Sequence, residues 1–205
     1  MNRQIYIQTL RTIRKIILTP VTAWEEVLAD PPHSSGWHLK HFVLPAVVLI
    51  IAAHLLGYLV LAITVGNYSV AYVAVKAIAT FFDTFFTFYI TVLIVTEWTR
   101  KLNWPIDYQH IFLLNSYSLS AFWVGKMLSG LLANYPTLGS FFVFLGITGI
   151  YPFIVGAEKL NLAEPRRLNR IIAMNTGVFV LLYLFIRWVF NFPLRTLYYL
   201  HTFNQ

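Results

Sequence analysis

The stretch from Val70 to Glu97, VAYVAVKAIATFFDTFFTFYITVLIVTE, limits what this chain can fold into more than any other. As a helix it extends about 42 Å, beyond the ~30 Å hydrocarbon core of a bilayer. It nevertheless carries Lys76 and Asp83. Seven residues place the two within about 20° on one helical face and roughly 10 Å apart along it. An ionisable side chain at bilayer depth costs about 3 kcal/mol or more unless it faces a bundle interior, water or a partner. A lone helix cannot shelter that face, so other apolar stretches must pack around it.

Four more stretches meet the need, which predicts an all-α polytopic membrane protein with spans at about 42–65, 70–97, 108–133, 138–160 and 171–192. An N-terminal cytosolic or interfacial segment, 1–41, precedes them, and a short outer tail, 193–205, follows. Composition agrees: 58% of residues are hydrophobic and 11% charged, against ~25% charged in an ordinary soluble domain. The net charge of +7 sits in short segments between apolar runs and belongs to no nucleic-acid-binding module. With no cysteine there is no disulfide, thiol nucleophile or Cys-based metal site. No GxSxG, HExxH, P-loop or paired carboxylates appear, so we expect no enzyme and no cofactor.

Residues Gln4 to Leu18 place Tyr6, Leu10, Ile13 and Ile17 at helical spacing, with Arg3, Arg11, Arg14 and Lys15 largely on the other side. Such a basic amphipathic helix lies in the membrane interface or packs on the bundle. Thr19 and Pro20 suit the start of a second short helix, which Asp30-Pro31-Pro32 stops, and Trp24 suits the headgroup level. His33, His38 and His41 fall in a polar lead-in whose spacing matches no metal motif.

Within the spans, Ala53 and Gly57 permit close helix approach, and Ala121, Gly125, Ser129 and Ala133 form a packing ridge at every fourth position. Asp107 suits the N-cap of the third span, and Pro152 should kink the fourth. Eleven of the fifteen Lys and Arg residues fall in the N-terminal segment (Arg3, Arg11, Arg14, Lys15, Lys40) and in the second-to-third and fourth-to-fifth loops (Arg100, Lys101, Lys159, Arg166, Arg167, Arg170). The opposite side holds only Arg195. The positive-inside rule therefore expects the N-terminus in the cytosol and the C-terminus outside.

That orientation brings Lys76, Lys126 and Arg187 into the outer half of the membrane, with Asp83 and His54 nearer the middle. The five form a candidate intramembrane polar cluster, in which Lys126 is the expected partner of Asp83. The cluster serves an ion- or proton-coupled pathway, holds an anionic lipid headgroup, or consists of cations that snorkel outward beside one structural ion pair. Five spans without visible internal symmetry argue against a repeat-built transporter.

The layout resembles the Yip1 domain family of five-span membrane proteins. The resemblance is carried by ILTPVTAWEEVLAD (Ile17 to Asp30) and WPIDYQHIFLLNSYSLSAFWVGKML (Trp104 to Leu128). It implies a non-catalytic five-helix bundle with its N-terminus in the cytosol. In eukaryotic members it implies a role in vesicle trafficking with Rab GTPases at Golgi and endoplasmic reticulum membranes. The N-terminal segment of about 40 residues carries no long acidic or Pro-rich arm, which suits a bacterial inner-membrane member. The expected function is a membrane adaptor or scaffold whose partners are the bilayer, another membrane protein or a second copy. A small transporter or lipid-binding protein is the alternative.

Overall fold

A computed structural model describes the backbone of residues 3–29, 34–65, 70–162 and 165–203; within it, the side chains of 65, 70, 165–166 and 193–203 lie outside the description. The turn Gly66–Ser69, the stop Asp30-Pro31-Pro32, His33, and the side chains of Arg166 and Arg195 are therefore outside the described residues. What is described is all-helical.

Two helices, α1 (Arg3–Leu18) and α2 (Pro20–Ala29), open the chain. The junction falls at Thr19, whose hydroxyl bonds back to the Lys15 carbonyl at 3.2 Å and so does not cap forward. α1 buries Thr9, Ile13 and Ile16 against the bundle and leaves its arginines outside. Trp24, expected at the headgroup level, is instead fully buried, and its indole N–H donates to the Pro152 carbonyl at 2.8 Å. A deep slot accepts it because Gly156 has no Cβ; one there would overlap the indole ring. Surface pairs Lys15–Glu26 and Lys159–Glu25, both at 2.5 Å, tie α1 to α2 and α2 to the helix that ends at Lys159. Each contributes about 1 kcal/mol or less.

The helix that holds the expected first span starts earlier than that span. Ser34 caps α3 (Ser35–His38), a π-helical turn Leu39–Val43 follows, and α4 (Leu44–Val65) continues. His38 and His41 are thus helical rather than in a polar loop. α5 (Val70–Lys101) is an unbroken helix of 32 residues. α10 (Pro165–Phe203) continues through Pro193, so the expected 193–205 tail is helical as far as Phe203. Among the described residues, four helices are long and apolar enough to cross a membrane: Ser35–Thr64, Ala71–Lys101, Pro136–Lys159 and Arg167–Phe192.

The third stretch is missing from that set because it breaks at Leu119 into α6 (Tyr108–Ser118) and α7 (Ser120–Leu131). The side chains one turn earlier explain the break. Asn115 Nδ2 donates to the Ile111 carbonyl at 3.0 Å and Ser116 Oγ to the Phe112 carbonyl at 2.7 Å, both competing with the helical ladder. The fourth stretch is irregular too. α8 (Pro136–Phe144) and α9 (Ile150–Lys159) are joined by a 3₁₀ turn, Leu145–Gly149. Pro152 offers no N–H to Thr148 and its ring crowds that carbonyl, so the distortion falls in the preceding turn.

These two stretches lie side by side, antiparallel. Glycines set the register: Gly139 meets Ser129, Gly146 meets Phe122, Gly149 meets the Ser118 carbonyl, and Gly156 reaches Leu114. A Cβ at Gly125 would overlap the Phe142 carbonyl. The ridge positions Gly125 and Ser129 are thus occupied within the chain by α8. Close to the α7 terminus, Gly57 of α4 lies against Gly130, so near that a Cβ at either would overlap the other helix.

α6 and α7 form the centre of the bundle. From Ile111 to Trp123 every residue except Leu113 is buried. The loops after α5 and α9 repeat one device. Asn103 and Asn161 take left-handed φ values of 52° and 51°. Trp104 N–H returns to the Thr99 carbonyl at 3.0 Å, and Leu162 N–H to Ala157 at 3.1 Å. Both are Schellman stops, encoded by Lys-Leu-Asn at 101–103 and again at 159–161.

Candidate intramembrane polar site

Asp83 points from the middle of α5 into the bundle, and Lys126 meets it from α7. Lys126 Nζ lies 2.6 Å from Asp83 Oδ1, with both residues more than nine-tenths buried. Thr84 donates to the same Oδ1 at 2.9 Å, and the Thr87 hydroxyl bonds to the Asp83 carbonyl. Two charges removed from water are held together by Coulomb attraction that a low-dielectric interior strengthens, provided the remaining polar valences are filled. Here Thr84 supplies one such bond to the carboxylate, while Thr87 bonds to the backbone beside it.

The second side of Lys126 faces an aromatic ring. Its Nζ stands 5.3 Å from the centroid of Tyr183 on α10, and the Arg187 guanidinium lies 5.7 Å from that ring. Arg187 Nη1 donates to the Tyr183 hydroxyl at 2.8 Å. One turn on, Asn191 Nδ2 bonds to the Arg187 carbonyl at 2.6 Å, and Asn191 Oδ1 accepts from Lys76 Nζ at 3.0 Å. Lys76 also lies 5.6 Å from the Tyr58 ring of α4. A continuous polar path therefore joins α5, α7 and α10 and touches α4.

Of the five expected cluster residues, Asp83 and Lys126 pair directly. Lys76 is half-buried on Asn191, and Arg187 reaches the exposed outer face of α10 through Tyr183. His54 lies near the charges but is bonded to its own helix rather than to them. Its Nδ1 lies 3.0 Å from the Ile50 carbonyl, and its ring packs against the backbone of Gly130 and 6.4 Å from Tyr58.

Three participants escape a search for charges: Tyr183, Asn191 and the threonines. The threonines carry a signal, since Thr80, Thr84, Thr87 and Thr91 recur at helical spacing on α5 and all are buried. A second polar contact, Asn115 Nδ2 to Asn175 Oδ1 at 2.9 Å, joins α6 to α10 toward the other end.

Two cavities lie away from this cluster, one beside α1 and the other around Trp104 to Tyr108, and neither is lined by any of its five residues. His38 and His41 are engaged locally, His38 Nδ1 with the Tyr117 hydroxyl at 3.2 Å and His41 Nδ1 with the Trp37 carbonyl at 3.0 Å. Among the described residues, no three His, Asp or Glu side chains gather to hold a metal. At the mouth of α6, Asp107 caps the helix and accepts from His110 N–H at 2.9 Å. Burial pushes its carboxyl up, but that N–H and the His110 imidazole outweigh it and hold it below the usual carboxylate range. No family model, curated protein or solved structure matches this chain.

Proposed function

We propose that the chain is a five-span integral membrane protein of Yip1-like layout, with its N-terminus in the cytosol and its C-terminus outside, acting without catalysis as an adaptor. The observation that carries this reading is the paired state of the intramembrane charges. Asp83 is matched by Lys126, and Lys76 and Arg187 are held by Asn191 and Tyr183. A core closed on itself in this way braces helices and presents surfaces. The partners are sought at the surfaces, since α8 already fills much of the Ala121–Ala133 ridge.

Five crossings are favoured over four by register. The stretch 114–129 runs antiparallel beside 139–156, so if the second crosses the membrane the first crosses with it. The chain has no cysteine, so single cysteines report their side cleanly. Leu102→Cys and Tyr135→Cys, at exposed positions flanking the third stretch, should react with a membrane-impermeant maleimide from opposite sides, Leu102→Cys from the cytosol. Labelling from one side would end the five-span reading.

A second reading, a small transporter or lipid-handling protein, is favoured by one feature: among the described residues the cluster holds three cations and one carboxylate. Wild-type protein in liposomes that moves no ion or lipid, with Asp83→Asn behaving identically, would remove it.

A further inference from the structure

A groove of about 560 Å³ opens between α1, α2 and the start of the first long helix. Its size falls within the ~300–1,000 Å³ of small-molecule sites. Its lining mixes polar groups, among them Gln8, Arg11, Thr12 and His41, with apolar ones such as Ala23, Val27 and Phe42. Lys15 at the rim is neutralised by Glu26 at 2.5 Å. Arg11 lies within ion-pair distance of no described carboxylate and is exposed. The groove therefore offers one guanidinium outside any ion pair among the described residues, together with hydroxyl, amide, imidazole and aliphatic groups.

Its position says what it meets. On the five-span reading the first crossing runs from about Phe42 to Val65, about 36 Å of helix, which puts Trp37, His38 and His41 at the membrane surface. The Trp37 and His41 rings stack at 4.6 Å there. A site at headgroup level that combines a planar cation with aliphatic side chains matches a phosphate group attached to acyl chains. Guanidinium binds phosphate oxygens through two parallel N–H donors.

We propose that this groove binds the phosphate of an anionic phospholipid, with Arg11 as its principal ligand. The proposal rests on the membrane placement given under the proposed function, but not on which side the N-terminus occupies. Failure of that placement would show as wild-type protein absent from the membrane fraction. Failure here would leave a membrane-embedded protein without lipid preference.

The test is native mass spectrometry of protein released from nanodiscs of phosphatidylcholine with and without phosphatidylglycerol. Wild type should retain phosphatidylglycerol over phosphatidylcholine. Arg11→Gln should weaken that retention about tenfold or more, the loss expected of a charged hydrogen bond. Arg3→Gln, on the same helix outside the groove, should leave it unchanged. Thr12→Trp fills the groove without altering charge and should also abolish retention; the melting temperature of each variant checks that it is folded. Equal loss in Arg3→Gln and Arg11→Gln would reduce the effect to general surface charge and overturn the proposal. Binding of inorganic phosphate without preference for phosphatidylglycerol would assign the groove to a soluble phosphate and overturn the lipid source. Capture of an acidic peptide without lipid preference would overturn it equally.

Discussion

Lys126 on α7 lies 2.6 Å from Asp83 on α5, and neither residue exposes as much as a tenth of its surface. The contact links the central helix of the bundle to the longest helix before it. Removing either partner leaves an uncompensated charge in a medium that cannot solvate it, which costs about 3–5 kcal/mol. Asp83→Leu and Lys126→Met should each lower stability by that order. The double variant Asp83→Leu with Lys126→Met should recover most of the loss. Unfolding in mixed micelles by rising SDS gives the double-mutant cycle, and additive losses would show that the pair does not act as a unit.

The α4–α7 contact depends on absent atoms. Gly57 and Gly130 let two backbones touch where a Cβ would overlap the opposing chain. Gly57→Val should therefore destabilise by about 3 kcal/mol or prevent folding, because overpacking has no flexible side chain to displace. A Cβ added at Gly177 on α10, by contrast, would meet nothing within 4 Å. Gly177→Ala should raise stability by roughly 0.5–1 kcal/mol through helix propensity alone. Melting temperatures of the two variants in detergent should move in opposite directions.

Trp24 docks the N-terminal helices by one hydrogen bond and its buried ring. Trp24→Phe keeps much of the apolar contact but removes the indole bond to the Pro152 carbonyl, a loss of about 1 kcal/mol. Trp24→Ala should cost about 3–5 kcal/mol by cavity formation. In both, limited proteolysis should cut between α2 and α3 sooner than in the wild type. Unchanged cleavage would mean that α1 and α2 dock independently of this residue.

The Asp107 cap supplies a pH dependence with a definite sign. Its carboxyl titrates below the ordinary value of 3.8 in the folded chain because His110 N–H and the imidazole favour the anion. The cap is therefore at full strength above the ordinary carboxylate range and is lost as pH falls through the folded value. Asp107→Ala should cost about 1 kcal/mol at neutral pH. It should cost nothing once the carboxyl is protonated, so the difference in unfolding midpoint between variant and wild type should close as the medium is acidified below about pH 4.

Much of this architecture is legible in local sequence because bilayer length and helical period are one-dimensional signals. The long helices, the Asp107 cap and the α1–α2 junction at Thr19–Pro20 follow from residues a few positions apart. The stops at Asn103 and Asn161 are equally local, written as the same Lys-Leu-Asn triplet, and a search for repeats of that length would find them. The break at Leu119 is harder to see. It accompanies the turning back of Asn115 and Ser116 on their own helix, while Asn115 also reaches Asn175 on α10, a partner sixty residues away that local sequence does not reveal.

Sequence alone determined that Asp83, midway along the helix from Val70, needed shelter, and it pointed to Lys126. Only the tertiary structure decided how the contact is made. Lys126, rather than Lys76 on its own helix, closes the pair, because α7 is buried on nearly all sides at that depth while Lys76 stands nearer the edge beside Asn191. Likewise the small residues of α7 announced close packing, yet not against what. The partner proved to be α8 of the same chain, since an antiparallel hairpin brings its glycines into register before any second molecule can reach them.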